Sequence, residues 1–167
     1  MPVLPRKLRI EPLSASAFRP FGDVIEVSDA TSPISINAGT AERHDDLARI
    51  DVTREGGRPL LSIFRATPRA LPLALSVLER HPLGSQAFVP LSAHPFMVVV
   101  SMGHDVPDVA TLRCFMSAPG QGVNYHAGVW HHPLIALHAR CDFVVIDRGG
   151  PEPNCDEADL PVGGFWI

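Results

Sequence analysis

Cysteine is scarce in this chain: Cys114, Cys141 and Cys155 are the only three among 167 residues. The odd count and the lack of any C-x-x-C pair argue against a disulfide framework and against a zinc knuckle. Reduced thiols in the cytoplasm are the expectation. Long hydrophobic runs are missing too. The longest apolar run near the middle, Phe96 to Val100, falls far short of the roughly 20 residues that a membrane span needs. The stretch Met1–Ile10 carries Arg6, Lys7 and Arg9 but no apolar h-region, so it does not read as a secretory signal. An excess of positive charge is also absent. Lys and Arg total 14 against 18 acidic residues, a formal net charge of -4. Nucleic-acid binding usually needs a basic face, so no nucleic-acid partner and no membrane partner are expected. A few arginines around a small anion remain compatible with this balance. No repeat, low-complexity tract or linker divides the chain, and residues 1–167 are expected to form one domain.

Proline and glycine, by contrast, are plentiful, at 17 and 13 residues. They cut the chain into short apolar runs: Leu60–Arg65, Phe96–Ser101, Thr111–Met116, Leu134–His138 and Phe143–Asp147. Many short strands with frequent turns predict a mainly β fold, a barrel or double-layered sandwich with a few short helices. Ser14–Arg19 reads as a short capped helical turn with Ser14 as N-cap. Thr40–Leu47 reads as a short helix or an extended loop. Leu71–His81 fits a helical face and a strand face equally well. Strand is favoured because Gln86–Leu91 also reads as a strand, joined to it by the turn-like Pro82-Leu83-Gly84-Ser85. The acidic, turn-rich stretch from Gly149 to Pro161 is expected to lie along the surface.

Two segments hold most of the unusual polar residues: Glu79 to Phe88, and Gly120 to Pro133. On a strand, Glu79 and His81 point to the same face. Gln86 would meet them across a hairpin, and His126 and His131 would come to the same region. Burying such groups is costly unless they are paired or hold a ligand or metal. Clustered His with Glu and Gln suits a divalent metal or acid–base work near neutral pH. Plainer readings stand beside these. Glu79 and Arg65 can each form a structural ion pair, and Gln86 can satisfy buried backbone groups. Trp130 and Phe88 read as core, Arg80 as a surface or interface residue, His132 as facing outward from His131, and Asp147 and Arg148 as structural.

The stretches ERHPLGSQAF, QGVNYHAGVWHHPL and DFVVIDRGG resemble the signature blocks of bacterial ureidoglycolate lyases. LSASAFRPFGDVIE and INAGTAERHDDLA resemble the same family, so the likeness runs from about Leu8 to Pro161. It implies a cupin-like β-barrel, usually a homodimer, which splits ureidoglycolate into glyoxylate and urea in allantoin and purine-nitrogen breakdown. The cupin metal frames, H-x-H-x4-E and P-x-G-x-x-H, fall on Glu79, His81 and Gln86, and on His126, Gly128 and His131. His81 and His131 match outright, whereas Glu79, Gln86 and His126 replace other residue types. Glu79, His81, Gln86 and His131 are therefore candidate ligands for a divalent metal, with no organic cofactor expected. A metal-free site on the same residues is the competing reading. His81, His126 and His131 are the candidate catalytic residues. Arg43 and Arg65 are candidates for a carboxylate clamp, with Asn37 and Gln86 as further substrate contacts. Arg65 stands in an apolar strand, where a buried charge would need a partner. An amidohydrolase that releases ammonia and a non-catalytic cupin that binds a small acid are the alternative functions.

Overall fold

The computed structural model describes residues 5–167, so only Met1–Leu4 of the N-terminal stretch lie outside the described residues. The strands are, in chain order, β1 (Arg6–Lys7), β2 (Ile10–Pro12), β3 (Gly22–Ile25), β4 (Ile34–Ile36), β5 (Ala41–Arg43), β6 (Arg58–Ala66), β7 (Val77–Arg80), β8 (Gln86–Pro90), β9 (Phe96–Ser101), β10 (Arg113–Met116), β11 (Gly122–Tyr125), β12 (Trp130–His131), β13 (Ile135–Ala136), β14 (Cys141–Gly149), β15 (Asp156–Asp159) and β16 (Phe165–Trp166). One short helix, α1 (Ala15–Phe18), follows β2, and Ser14 caps it by accepting from the Ala17 amide. The mainly β architecture expected from the punctuated sequence is the one found.

Two sheets make the body. A seven-stranded sheet runs β15-β7-β12-β9-β10-β2, with β13 also on β9; a five-stranded sheet runs β3-β11-β8-β14-β6. Alternation sorts each strand's side chains between two faces. Phe88, Val123 and Val145 face inward from the five-stranded sheet and join Phe96, Val98, Val100 and Phe115 of the other in one buried cluster. Burying each such side chain is worth about 1.5–3 kcal/mol. β9 is buried along its whole length. Its alternate residues Met97 and Val99 pack into a second cluster with Leu8, Leu73, Leu75, Trp130, Phe165 and Ile167. Terminal segments thus cover the outer face of the seven-stranded sheet, which explains why β9 is apolar without alternation.

Two expectations need correction. β7 and β8 are not a paired hairpin, because the Pro82–Ser85 connection crosses from one sheet to the other. Thr40–Leu47 contains no helix; Ala41–Arg43 pairs with β4 in a small separate sheet. The stretch after Gly149 lies along the surface as expected, and it also forms a strand. Asp156–Asp159 adds to the edge of β7, with Glu157 opposite Glu79. Of Leu71–His81 only Val77–Arg80 is a regular strand. Leu73 and Leu75 instead bond their backbones to Ile167 and Phe165.

One polar clamp joins the N-terminal strand to the sheet. Arg113 on β10 makes two hydrogen bonds to Glu11 on β2, at 3.0 and 2.7 Å, and a third to the Ala17 carbonyl. The Arg113 contact holds the Glu11 carboxyl below its ordinary range. A carboxyl depressed in the folded state adds stability above its unfolded pKa, and loses it as pH falls through the folded value. Glu11→Gln should therefore cost about 1 kcal/mol at neutral pH. Urea unfolding at a series of pH values should show this gap closing once the pH drops below the usual carboxylate range.

Candidate active site

The sheet register brings the central groups together. His131 on β12 stands opposite Glu79 on β7 and opposite Val100 on β9, so both polar side chains share the inward face with Val100. His81 follows directly after β7. Its carbonyl accepts from the Gly128 amide at 2.8 Å, which ties it to the β11–β12 turn. Gly128 has φ +81, a left-handed conformation that favours glycine.

Backbone carbonyls set which nitrogen of each ring always carries a proton. His131 Nδ1 lies 2.9 Å from the Val129 carbonyl, and His81 Nδ1 lies 2.7 Å from the Asn154 carbonyl. A carbonyl can only accept, so in each ring Nδ1 donates, and the neutral ring's lone pair is left on Nε2. Both Nε2 atoms approach the same oxygen, Glu79 Oε1, at 3.5 Å from His131 and 4.0 Å from His81. Both are buried and without a hydrogen bond. Burial pushes the His131 imidazole down. A carboxylate oxygen met by two Nε2 atoms without hydrogen-bond partners suits a metal-ligand set or a proton-accepting site. Tyr125 lies flat on His131, with ring centroids 4.1 Å apart and planes 14° from parallel. Gly22 opposite Tyr125 permits this close packing of β3 on β11, since a Cβ there would fall 1.8 Å from the Asn124 carbonyl oxygen. Glu79 and His131 reach a cavity of about 290 Å³ whose other walls include Phe64, Arg65, Phe88 and Leu134, a size suited to a small molecule.

Residues 5–165 match the family model described as ureidoglycolate lyase. A ureidoglycolate lyase of Burkholderia mallei (strain NCTC 10229) is 56% identical over 162 residues, 97% of this chain and 94% of that protein. One from Burkholderia cepacia is 56% identical over 161 residues, covering 95% of this chain and 88% of that protein. One from Pseudomonas syringae pv. syringae (strain B728a) is 51% identical over 152 residues, covering 91% and 89%. This chain belongs to the ureidoglycolate lyase family. Among solved structures, a dTDP sugar isomerase from Desulfovibrio desulfuricans G20 superposes with a TM-score of 0.44 at 17% identity, over 78% of this chain and 82% of that one, too loosely to carry an argument.

Within this family member, the residues singled out from sequence fall into two groups. Glu79, His81 and His131 converge within ligand distance of one another. Gln86 lies on the facing sheet and donates through Nε2 to Asp147 at 3.1 Å. His126 is elsewhere. Its Nε2 sits 3.1 Å from Asp23, which also accepts from Asn124, and it lines a separate cavity of about 110 Å³ with Arg49 and Arg54. Arg43 is exposed on the small sheet and pairs with Asp45 at 2.7 Å. Asn37 sits in the neighbouring turn with positive φ. Arg65 is not the buried charge expected of its apolar strand. β6 is an edge strand with an open face, and Arg65 forks onto Asp142 there at 2.8 and 2.9 Å. It still borders the cavity. His132, expected to face outward, is buried as well, and burial lowers its pKa. Arg80 leaves the inward face and lies over the Trp130 ring. Sequence reading missed Tyr125 and Asn154. Tyr125 lies inside the His-rich segment, one residue before His126, whereas nothing in the sequence around Asn154 marks it.

The lone pair on Nε2 is directly measurable. In a ¹⁵N-resolved spectrum at pH about 6.5, where an ordinary imidazole is half protonated, His131 should remain neutral with its proton on Nδ1. A doubly protonated His131 there would contradict the geometry.

Proposed function

We propose that this chain cleaves ureidoglycolate into glyoxylate and urea. The observation that carries the reading is the buried meeting of one carboxylate and two imidazole lone pairs beside a cavity of small-molecule size, in a member of this family. The reaction takes the proton from the carbinol hydroxyl, forms the aldehyde C=O, breaks the C–N bond and gives a proton to the departing urea nitrogen. No water enters, so no serine or cysteine nucleophile is needed. His131 Nε2 and His81 Nε2 are the available proton acceptors, and the ring that takes the hydroxyl proton can return it to the leaving nitrogen. Glu79 stabilises that ring while it is charged. Arg65, at the cavity wall, attracts the substrate carboxylate, which Glu79 repels.

Glu79, His81 and His131 also fit a divalent cation, since the two unpaired Nε2 atoms converge on a Glu79 oxygen and all three are ordinary ligand types. Such an ion would polarise a substrate oxygen and neutralise Glu79. Its arrival would move both Nε2 resonances and leave both Nδ1 protons in place.

We read residues 1–167 as one domain of a cytoplasmic homodimer. Among the described residues β6 leaves one backbone edge open, and Leu61 and Ile63 on it are 73% and 56% exposed. An open strand edge with exposed apolar side chains suits pairing with a second copy. Sedimentation equilibrium should give a dimer, and Ile63→Lys should shift it toward monomer.

The reaction itself is tested by its products. Ureidoglycolate should yield glyoxylate and urea in equal amounts and no ammonia. His81→Ala should keep the fold by circular dichroism and lose about 100-fold or more in turnover. Stoichiometric ammonia would indicate an amidohydrolase, and saturable glyoxylate binding without turnover a binding module.

A further inference from the structure

Three polar residues outside this mechanism stand side by side across three neighbouring strands. Tyr125 on β11 is directly opposite Gln86 on β8, and Gln86 Nε2 donates to Asp147 on β14. That bond fixes the orientation of the amide, because only its nitrogen can face a carboxylate. All three alternate with Phe88, Val123 and Val145, so they share the inward face of the five-stranded sheet. Tyr125 and Gln86 are only 1% and 5% exposed.

Each of the three keeps one buried polar atom without a partner: Tyr125 Oη, Gln86 Oε1 and Asp147 Oδ1. A buried polar atom left unpaired costs about 1–3 kcal/mol, and native folds leave few of them. Three in one row point to a ligand that completes them. The row also leads into the site already described, since the Tyr125 ring is stacked on His131 and His131 reaches Glu79.

The unmatched atoms have a definite pattern. Gln86 Oε1 and Asp147 Oδ1 are acceptors, and the Tyr125 phenol carries an O–H that can donate. A ureido group has the complementary set, N–H donors flanking one carbonyl acceptor. We propose that Tyr125, Gln86 and Asp147 form a ureido subsite, in which Tyr125 Oη donates to the urea carbonyl while Gln86 Oε1 and Asp147 Oδ1 accept from its N–H groups. The proposal rests on ureidoglycolate being the substrate. It places the ureido end against the five-stranded sheet and the carbinol carbon between that row and the histidines. Glyoxylate, which lacks the ureido group, makes none of these contacts.

The test separates the two ends of the substrate. Tyr125→Phe keeps the ring on His131 and removes only the donor; Asp147→Asn keeps the shape and removes the charge. Each should lower kcat/KM for ureidoglycolate about tenfold or more, while the inhibition constant of glyoxylate stays within about twofold of wild type. Unchanged kcat/KM in both variants would overturn the subsite. So would an equal loss of glyoxylate binding in both, which would mean that the row only holds the sheets together. A wild-type protein that does not cleave ureidoglycolate refutes the substrate assignment instead, takes the subsite with it, and is seen before any variant is made.

Discussion

Two imidazole nitrogens and a carboxylate oxygen approach one buried point, and neither ring can bring a proton to it while it is neutral. The rest of the site follows from that constraint. The carbonyls of Val129 and Asn154 hold the ring protons on Nδ1, so the lone pairs face Glu79 Oε1. Like-polarity atoms at such distances repel in a low-dielectric interior unless something positive sits between them. A transferred proton, a divalent cation or a substrate hydroxyl would each relieve the arrangement. The protein thus holds its proton acceptors in a state that a ligand improves, which is how preorganised sites work.

The supports of this point come from distant parts of the chain. Asn154 belongs to the segment leading into β15. It bonds His81 through its backbone and the Leu83 amide through its side chain at 2.7 Å. The β11–β12 turn holds the His81 backbone through Gly128, and the stacked Tyr125 fixes the plane of His131. β7 and β12 present Glu79 and His131 on one sheet, while β8, β11 and β14 present Gln86, Tyr125 and Asp147 on the other. The site therefore exists only when the two sheets face each other, and the inner core of Phe88, Val98, Val100 and Val145 that seals them is part of the chemistry.

Much of this was legible in the residues. The short apolar runs between prolines and glycines announced a β fold, and alternation placed Glu79 with His81. The His-rich block supplied His131. What sequence could not show was which strands pair. A turn such as Pro82–Ser85 looks the same whether it closes a hairpin or crosses between sheets, so Gln86 was expected beside His81 and arrived on the facing wall. His126 illustrates a second limit. Its spacing suited the cluster, but it alternates with the inward Tyr125 and shares the other face with Asn124, where both reach Asp23. Arg65 shows a third: an apolar strand need not be buried when it is an edge, and β6 is one.

The most direct test of the account is a crystal structure with glyoxylate and urea bound together. Density for glyoxylate beside Glu79, His81 and His131, with urea against Tyr125, Gln86 and Asp147, is the expected result. Both products in the cavity of His126, Arg49 and Arg54, with the space between the sheets empty, would contradict it.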